Sequence, residues 1–160
     1  MILEHKPNGF KDGAYGRVFF DKTTNTAIKV FKKKLNMDEH VANVFESEVK
    51  AYQLVQQSSE LKKITPDFFG MVTIDAIYSL EGKNVSEDFY LNKAYKMTYL
   101  NGEFIKLGEI NINEDEKCKL ITNFNDVGIN YIKDSSVIID ETNQIKYIID
   151  FAEKEIELWW

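Results

Sequence analysis

One glutamate constrains this chain more than any other residue. Between Asp38 and Gln57, Val41, Val44, Phe45, Tyr52 and Val55 recur at spacings of three and four, the apolar stripe of a helix with Asp38 as its N-cap. Glu48 lies inside that stripe, three residues after Phe45 and four before Tyr52. A carboxylate on a buried face is costly unless a cation meets it. The fold must therefore bring a lysine or arginine to Glu48 from another element.

The chain has the material for such a fold. It is 160 residues long and 44% hydrophobic, enough for one domain or for one domain built from two small lobes. This excludes a wholly disordered chain. No apolar run approaches the roughly 20 residues of a membrane helix. The start, Met1 to Pro7, lacks the apolar core and cleavage site of a secretory signal. A single cysteine, Cys118, reads as a plain thiol in a reducing compartment, so a cytoplasmic location is expected. The charge is 20 basic against 26 acidic residues, net −6, and Arg17 is the sole arginine. Nucleic-acid binders carry basic, arginine-bearing surfaces, so that class is excluded and no membrane partner is expected. An acidic surface suits a basic protein partner.

The remaining elements follow from local pattern. Val18-Phe19-Phe20 and Thr26 to Phe31 read as a β-hairpin across the polar turn Asp21 to Asn25, preceded by the glycine-bearing turn Lys11 to Gly16. Thr65 to Gly70 breaks the helical pattern. Strands are expected at Met71 to Leu80 and Tyr95 to Leu100. Between them Glu81 to Lys93 reads as a polar loop, with a short strand at Phe89-Tyr90-Leu91 as an option. A second helix is expected from Asn113 through Val127, stopped by Gly128. Two short strands, Val137 to Ile139 and Ile145 to Ile149, close the pattern, with Asp150-Phe151-Ala152 directly after. Trp159-Trp160 reads as core closure, with an interface anchor as the alternative. His5 and His40 have no companion acid or nucleophile at useful spacing and are assigned no role.

Each of these elements is common, but their order is specific. Phe10 to Phe19 resembles the glycine-rich loop of the protein-kinase family, and Ala27-Ile28-Lys29 resembles its strand-lysine motif. Glu48 resembles the helix αC glutamate that pairs with that lysine, which would make Lys29 the cation Glu48 needs. Lys96 to Gly102 resembles the hinge, Gly128-Ile129 the approach to the catalytic loop, and Asp150-Phe151-Ala152 the Asp-Phe-Gly motif. The resemblance implies an α+β fold: a kinase N-lobe-like part over 1–100, an antiparallel sheet with one αC-like helix, and a shrunken C-lobe-like part over 101–160. It implies Gly13, Gly16, Lys29 and Glu48 as nucleotide-binding residues, Asp150 as the metal ligand and Asp134 as the catalytic acid or base.

Departures from the pattern fall where the chemistry should be. Lys11 stands at the first glycine of the loop and Ala152 at the last position of Asp-Phe-Gly. No His-Arg-Asp is present. Counting back from Val137 to Asp140 puts Ser136 at the metal-binding asparagine and Tyr131 at the aspartate. Counting forward from Gly128-Ile129 puts Lys133-Asp134 near the aspartate instead, and both registers stay open. Eight residues follow Ala152, which reads as no room for an activation segment. Phosphoryl transfer needs metal, base and acceptor together. The expectation is a kinase-like protein without effective catalysis that binds a protein, in concrete form a bacterial immunity protein neutralising a basic toxin, with no cofactor required. The alternative is a minimal ATP- and Mg-dependent Ser/Thr kinase using Lys29, Glu48, Asp134 and Asp150.

Overall fold

The structure, a computed structural model, describes residues 1–157; Trp159-Trp160 lie outside the described residues. It is a mixed α+β arrangement with mostly antiparallel pairing. The chain forms two compact units, Met1–Phe45 with Phe69–Tyr99, and Glu46–Phe68 with Leu100–Trp160. The division falls inside the first helix, α1 (Asp38–Val55).

The first unit is built on a five-stranded sheet. Its strands are β2 (Phe10–Asp12), β3 (Gly16–Asp21), β4 (Thr26–Lys32), β5 (Phe68–Val72) and β7 (Phe89–Thr98), in the order β2-β3-β4-β7-β5. The β2–β3, β3–β4 and β4–β7 pairs are antiparallel. A small parallel pair, β1 (Ile2–Glu4) with β6 (Ala76–Tyr78), accompanies it. β4 is the central strand, and its five interior residues are all buried. Alternation sends Ile28 and Val30 to one face, into a core with Phe19, Ile74, Ile77 and Phe89. Ala27, Lys29 and Phe31 take the other face, where the Phe31 ring meets Phe45 of α1 edge-on at 5.2 Å.

Sequence and structure differ over 71–98. The expected strand Met71 to Leu80 is two strands, β5 and β6. The expected polar loop ends early, because β7 already begins at Phe89 and runs ten residues. Tyr90, Asn92 and Lys93 made that stretch look like a loop. Its inward positions, Phe89, Ala94, Tyr95 and Met97, are buried.

The second unit holds α2 (Ser59–Lys62), α3 (Glu114–Asp126) and a sheet of β8 (Ile105–Lys106), β9 (Ser136–Ile139) and β10 (Ile145–Ile149), in the order β10-β9-β8. Its core centres on Phe151, whose ring lies 4.7 Å from Tyr52 and 5.1 Å from Phe124. The ends of α3 match the sequence reading. The Asn113 side chain accepts a hydrogen bond from the Asp115 amide at 2.7 Å. Gly128 takes φ +92° just beyond the last turn, and the Ile129 amide returns to the Phe124 carbonyl at 3.0 Å. The β9–β10 turn is held by Asp140, whose Oδ1 accepts from the Gln144 amide and from the amide and hydroxyl of Thr142. These bonds, the Gln144 amide first, hold its carboxyl below the usual carboxylate range.

Candidate functional site

The expected site residues distribute over both units. In the first unit, Gly13 and Gly16 close the turn between β2 and β3, with the Gly13 amide on the Gly16 carbonyl at 2.8 Å. The two glycines differ in what surrounds them. A Cβ on Gly13 would meet only the Gly16 carbonyl oxygen at 3.5 Å, an ordinary contact. A Cβ on Gly16 would meet the Val30 carbonyl oxygen at 2.9 Å and Lys29 Cε at 3.1 Å. Gly16 is therefore a close-approach glycine on β4, and Gly13 is not.

Lys29 sits mid-strand in β4, opposite Val18 of β3 and Tyr95 of β7, and is 9% exposed. Its Nζ lies 5.1 Å from the Phe31 ring centroid, within range of a cation–π contact. The turn ahead of β3 is fastened at Tyr15, whose hydroxyl bonds His40 Nε2 on α1 at 2.9 Å. Lys34 Nζ lies 4.6 Å from the Tyr15 ring.

In the second unit, Glu48 is 8% exposed on α1. Its neighbour Ser47 anchors the chain just past Phe151-Ala152. The Ser47 hydroxyl meets the Lys154 carbonyl at 3.1 Å and the Lys154 amide at 3.2 Å, and the Ser47 carbonyl accepts from the Glu153 amide at 3.1 Å. Lys50 adds an ion pair to Glu153 at 2.6 Å.

The same unit brings the stretches carrying Asp134 and Asp150 side by side. Tyr131 bridges Ala152, with the Ala152 amide on the Tyr131 carbonyl at 3.0 Å and the Asn130 amide on the Glu153 carbonyl at 2.8 Å. Ser135, fully buried, donates its hydroxyl to the Asp150 carbonyl at 3.2 Å. Asp150 itself is exposed and takes the left-handed conformation, φ +63°, at the end of β10. Asp134 is exposed, its carboxylate accepts from the Tyr131 hydroxyl, and its carbonyl accepts from Lys106 Nζ at 3.1 Å. Ser136, counted at the metal-binding asparagine, is buried in β9 opposite Ile149. Among the described residues no three His, Cys, Asp or Glu side chains converge as a metal would need.

Sequence reasoning missed the polar cluster around His5. The His5 imidazole is buried, with Nδ1 2.7 Å from the Tyr78 carbonyl and Nε2 2.7 Å from Arg17 Nη1. The carbonyl only accepts and the guanidinium only donates, which fixes the tautomer with the proton on Nδ1. Arg17 grips Asp12 with Nε at 2.6 Å and Nη2 at 3.0 Å, and Lys32 Nζ reaches the same carboxylate at 3.2 Å. The Arg17 hydrogen bond, above all, holds the Asp12 carboxyl below its ordinary value. The one signal in the sequence was Arg17 itself, a lone arginine where every other basic residue is lysine.

Charge is divided unequally between the units. The second carries nine basic and seventeen acidic residues, net −8, and the first eleven and nine, net +2. Among the described residues no helix is long and apolar enough to cross a membrane. No protein-family model matches the chain, and no curated protein or solved structure matches it.

Proposed function

We propose that this chain is a kinase-like protein without effective phosphoryl transfer that acts by binding a basic protein, an immunity protein against a toxin being its concrete form. The carrying observation is how the segment 131–136 uses its polar groups. The Asp134 carboxylate takes the Tyr131 hydroxyl, the Ser135 hydroxyl is committed to the Asp150 backbone, and Ser136 is enclosed in β9. Groups that the kinase pattern would leave facing metal and substrate hold the loop together instead. Losing one such group costs orders of magnitude in rate. The five-stranded sheet with one helix directly after the lysine strand agrees with the N-lobe reading, and buried Lys29 and Glu48 agree with their expected places. The net −8 of the second unit supplies the complement for a basic partner.

The test is a tagged chain recovered from its native host, with bound protein released by a salt gradient. The expected result is a stoichiometric basic protein whose release shifts with ionic strength. An acidic partner, or no stable partner, overturns the binding reading. The minimal-kinase reading keeps one point in its favour, the adjacency of the segments bearing Asp134 and Asp150. It requires Mg-dependent autophosphorylation that Lys29→Ala abolishes; equal silence of wild type and variant removes it.

A further inference from the structure

The His5 cluster forms one wall of an open cavity of about 360 Å³ that lies wholly within the first unit. A volume near this is at the small end of ligand sites. Its walls are of three kinds. Phe10, Phe89, Leu80 and Val85 are apolar, Arg17 and Lys32 are cationic, and Glu81 and Asp88 are anionic.

The apolar wall is braced. The His5 ring lies edge-on to Phe10 at 4.7 Å, and the Arg17 guanidinium sits 5.4 Å from the Phe10 centroid and 5.7 Å from that of Phe89. Such a wall needs no rearrangement to receive an apolar group, which keeps the ordering cost of binding low. The charges are uncompensated in opposite senses. Arg17 and Lys32 share the single carboxylate of Asp12, which leaves one positive charge in excess. Among the described residues neither Glu81 nor Asp88 forms an ion pair. A purely anionic guest would meet those two carboxylates, and a purely cationic one would meet Arg17 and Lys32.

We propose that this cavity binds a small zwitterion with an apolar body, of the α-amino-acid class. Its carboxylate takes N–H groups of Lys32 and Arg17, its ammonium faces Glu81 and Asp88, and its side chain lies on Phe10, Phe89, Leu80 and Val85. The site stands apart from the kinase-like residues, so it holds or fails independently of the function proposed above.

The experiment is a titration of the full chain followed by ¹H–¹⁵N correlation spectra, with L-leucine and L-phenylalanine as probes. N-acetyl-leucine, which lacks the ammonium, and leucinamide, which lacks the carboxylate, are the comparison arms. The expected result is saturable shifts at the Lys32, Leu80, Glu81 and Asp88 amides with a dissociation constant of about 1 mM, weakened about tenfold in either comparison arm. Glu81→Gln, an exposed turn substitution, and Lys32→Met each weaken leucine binding while the thermal midpoint confirms folding. No saturable shift up to about 10 mM overturns the proposal. So do equal affinities in all arms, or shifts confined to residues outside the cavity.

Discussion

Replacing the two turn glycines one at a time separates a glycine kept for packing from one kept for a ligand. A methyl group at Gly16 meets the Val30 carbonyl oxygen at 2.9 Å, and that oxygen belongs to the central strand, which cannot move without its neighbours. The second obstacle, Lys29 Cε at 3.1 Å, is the stem of a buried side chain. Overpacking of this kind costs about 1–3 kcal/mol. Gly13 has only an ordinary contact and no positive φ, so Gly13→Ala keeps the native backbone and gains about 0.4–1 kcal/mol by restricting the unfolded chain. The two variants should therefore differ by about 1.5–4 kcal/mol with opposite signs. In urea, at a slope of about 1–3 kcal/mol/M, Gly16→Ala lowers the unfolding midpoint by about 1 M, and Gly13→Ala raises it slightly. The assay is equilibrium unfolding followed by tryptophan fluorescence, with the slope checked for constancy. Coincident midpoints for Gly16→Ala and wild type would refute the close-approach argument. A Gly13→Ala variant as destabilised as Gly16→Ala would refute the distinction between them.

The remaining expectations concern the two cores and the ionised groups. Phe151→Ala should cost about 3–5 kcal/mol, because its ring fills the space between Tyr52 and Phe124; Phe151→Leu, which keeps most of the volume, should cost under about 1.5 kcal/mol, both read by urea unfolding. Tyr90 donates its hydroxyl to Asp38, and that bond, more than burial, pushes its pKa up to about 12. Its stabilising contribution is thus complete below the ordinary tyrosine value near 10 and is lost as pH rises toward 12, a loss that Tyr90→Phe abolishes in alkaline unfolding curves. Asp12 runs the other way. Its lowered pKa contributes stability above the ordinary carboxylate value that disappears as pH falls through the folded value, and Asp12→Asn should flatten the acid limb of the stability profile. Arg17→Lys removes the paired grip on Asp12 and should cost about 1 kcal/mol, measured as a drop in thermal midpoint at neutral pH.

What could be read from the sequence was what local periodicity encodes. The β3–β4 hairpin, both long helices, the Gly128 stop and the β9–β10 hairpin rest on patterns of a few residues, and each appears within a residue or two of its expected bounds. The burial of Glu48 followed from its place in a helical stripe, and that of Lys29 from its place in an apolar strand. Pairings between distant segments left no such trace. β1 pairs in parallel with β6, the Tyr131 bridge to Ala152 joins segments of mixed polarity, and β7 begins in a stretch whose outward residues mask its inward ones. The left-handed turn at Asp150 was equally hidden, because an aspartate after a strand is compatible with several conformations. For the candidate residues, sequence order supplied identity and burial; the engagement of Asp134 and Ser135 by their own loop required coordinates.

The lone arginine shows how a composition dominated by lysine still marks a structural requirement. At every other basic position a flexible ammonium suffices, because solvent completes its hydrogen bonds. Position 17 must reach a carboxylate with two parallel donors, a histidine nitrogen with a third, and two phenylalanine rings with its faces. Only a planar guanidinium meets all three demands from one side chain. The same geometry prevents Asp12 from balancing both of its cations, since Lys32 Nζ shares the oxygen that Arg17 Nε holds. The excess positive charge is thus a consequence of how the wall is built. Glu81, in the turn from Ser79 to Lys83, and Asp88, just before β7, sit on the same cavity with charge of the opposite sign. A ligand that joins the two signs restores the balance that the protein's own side chains leave incomplete.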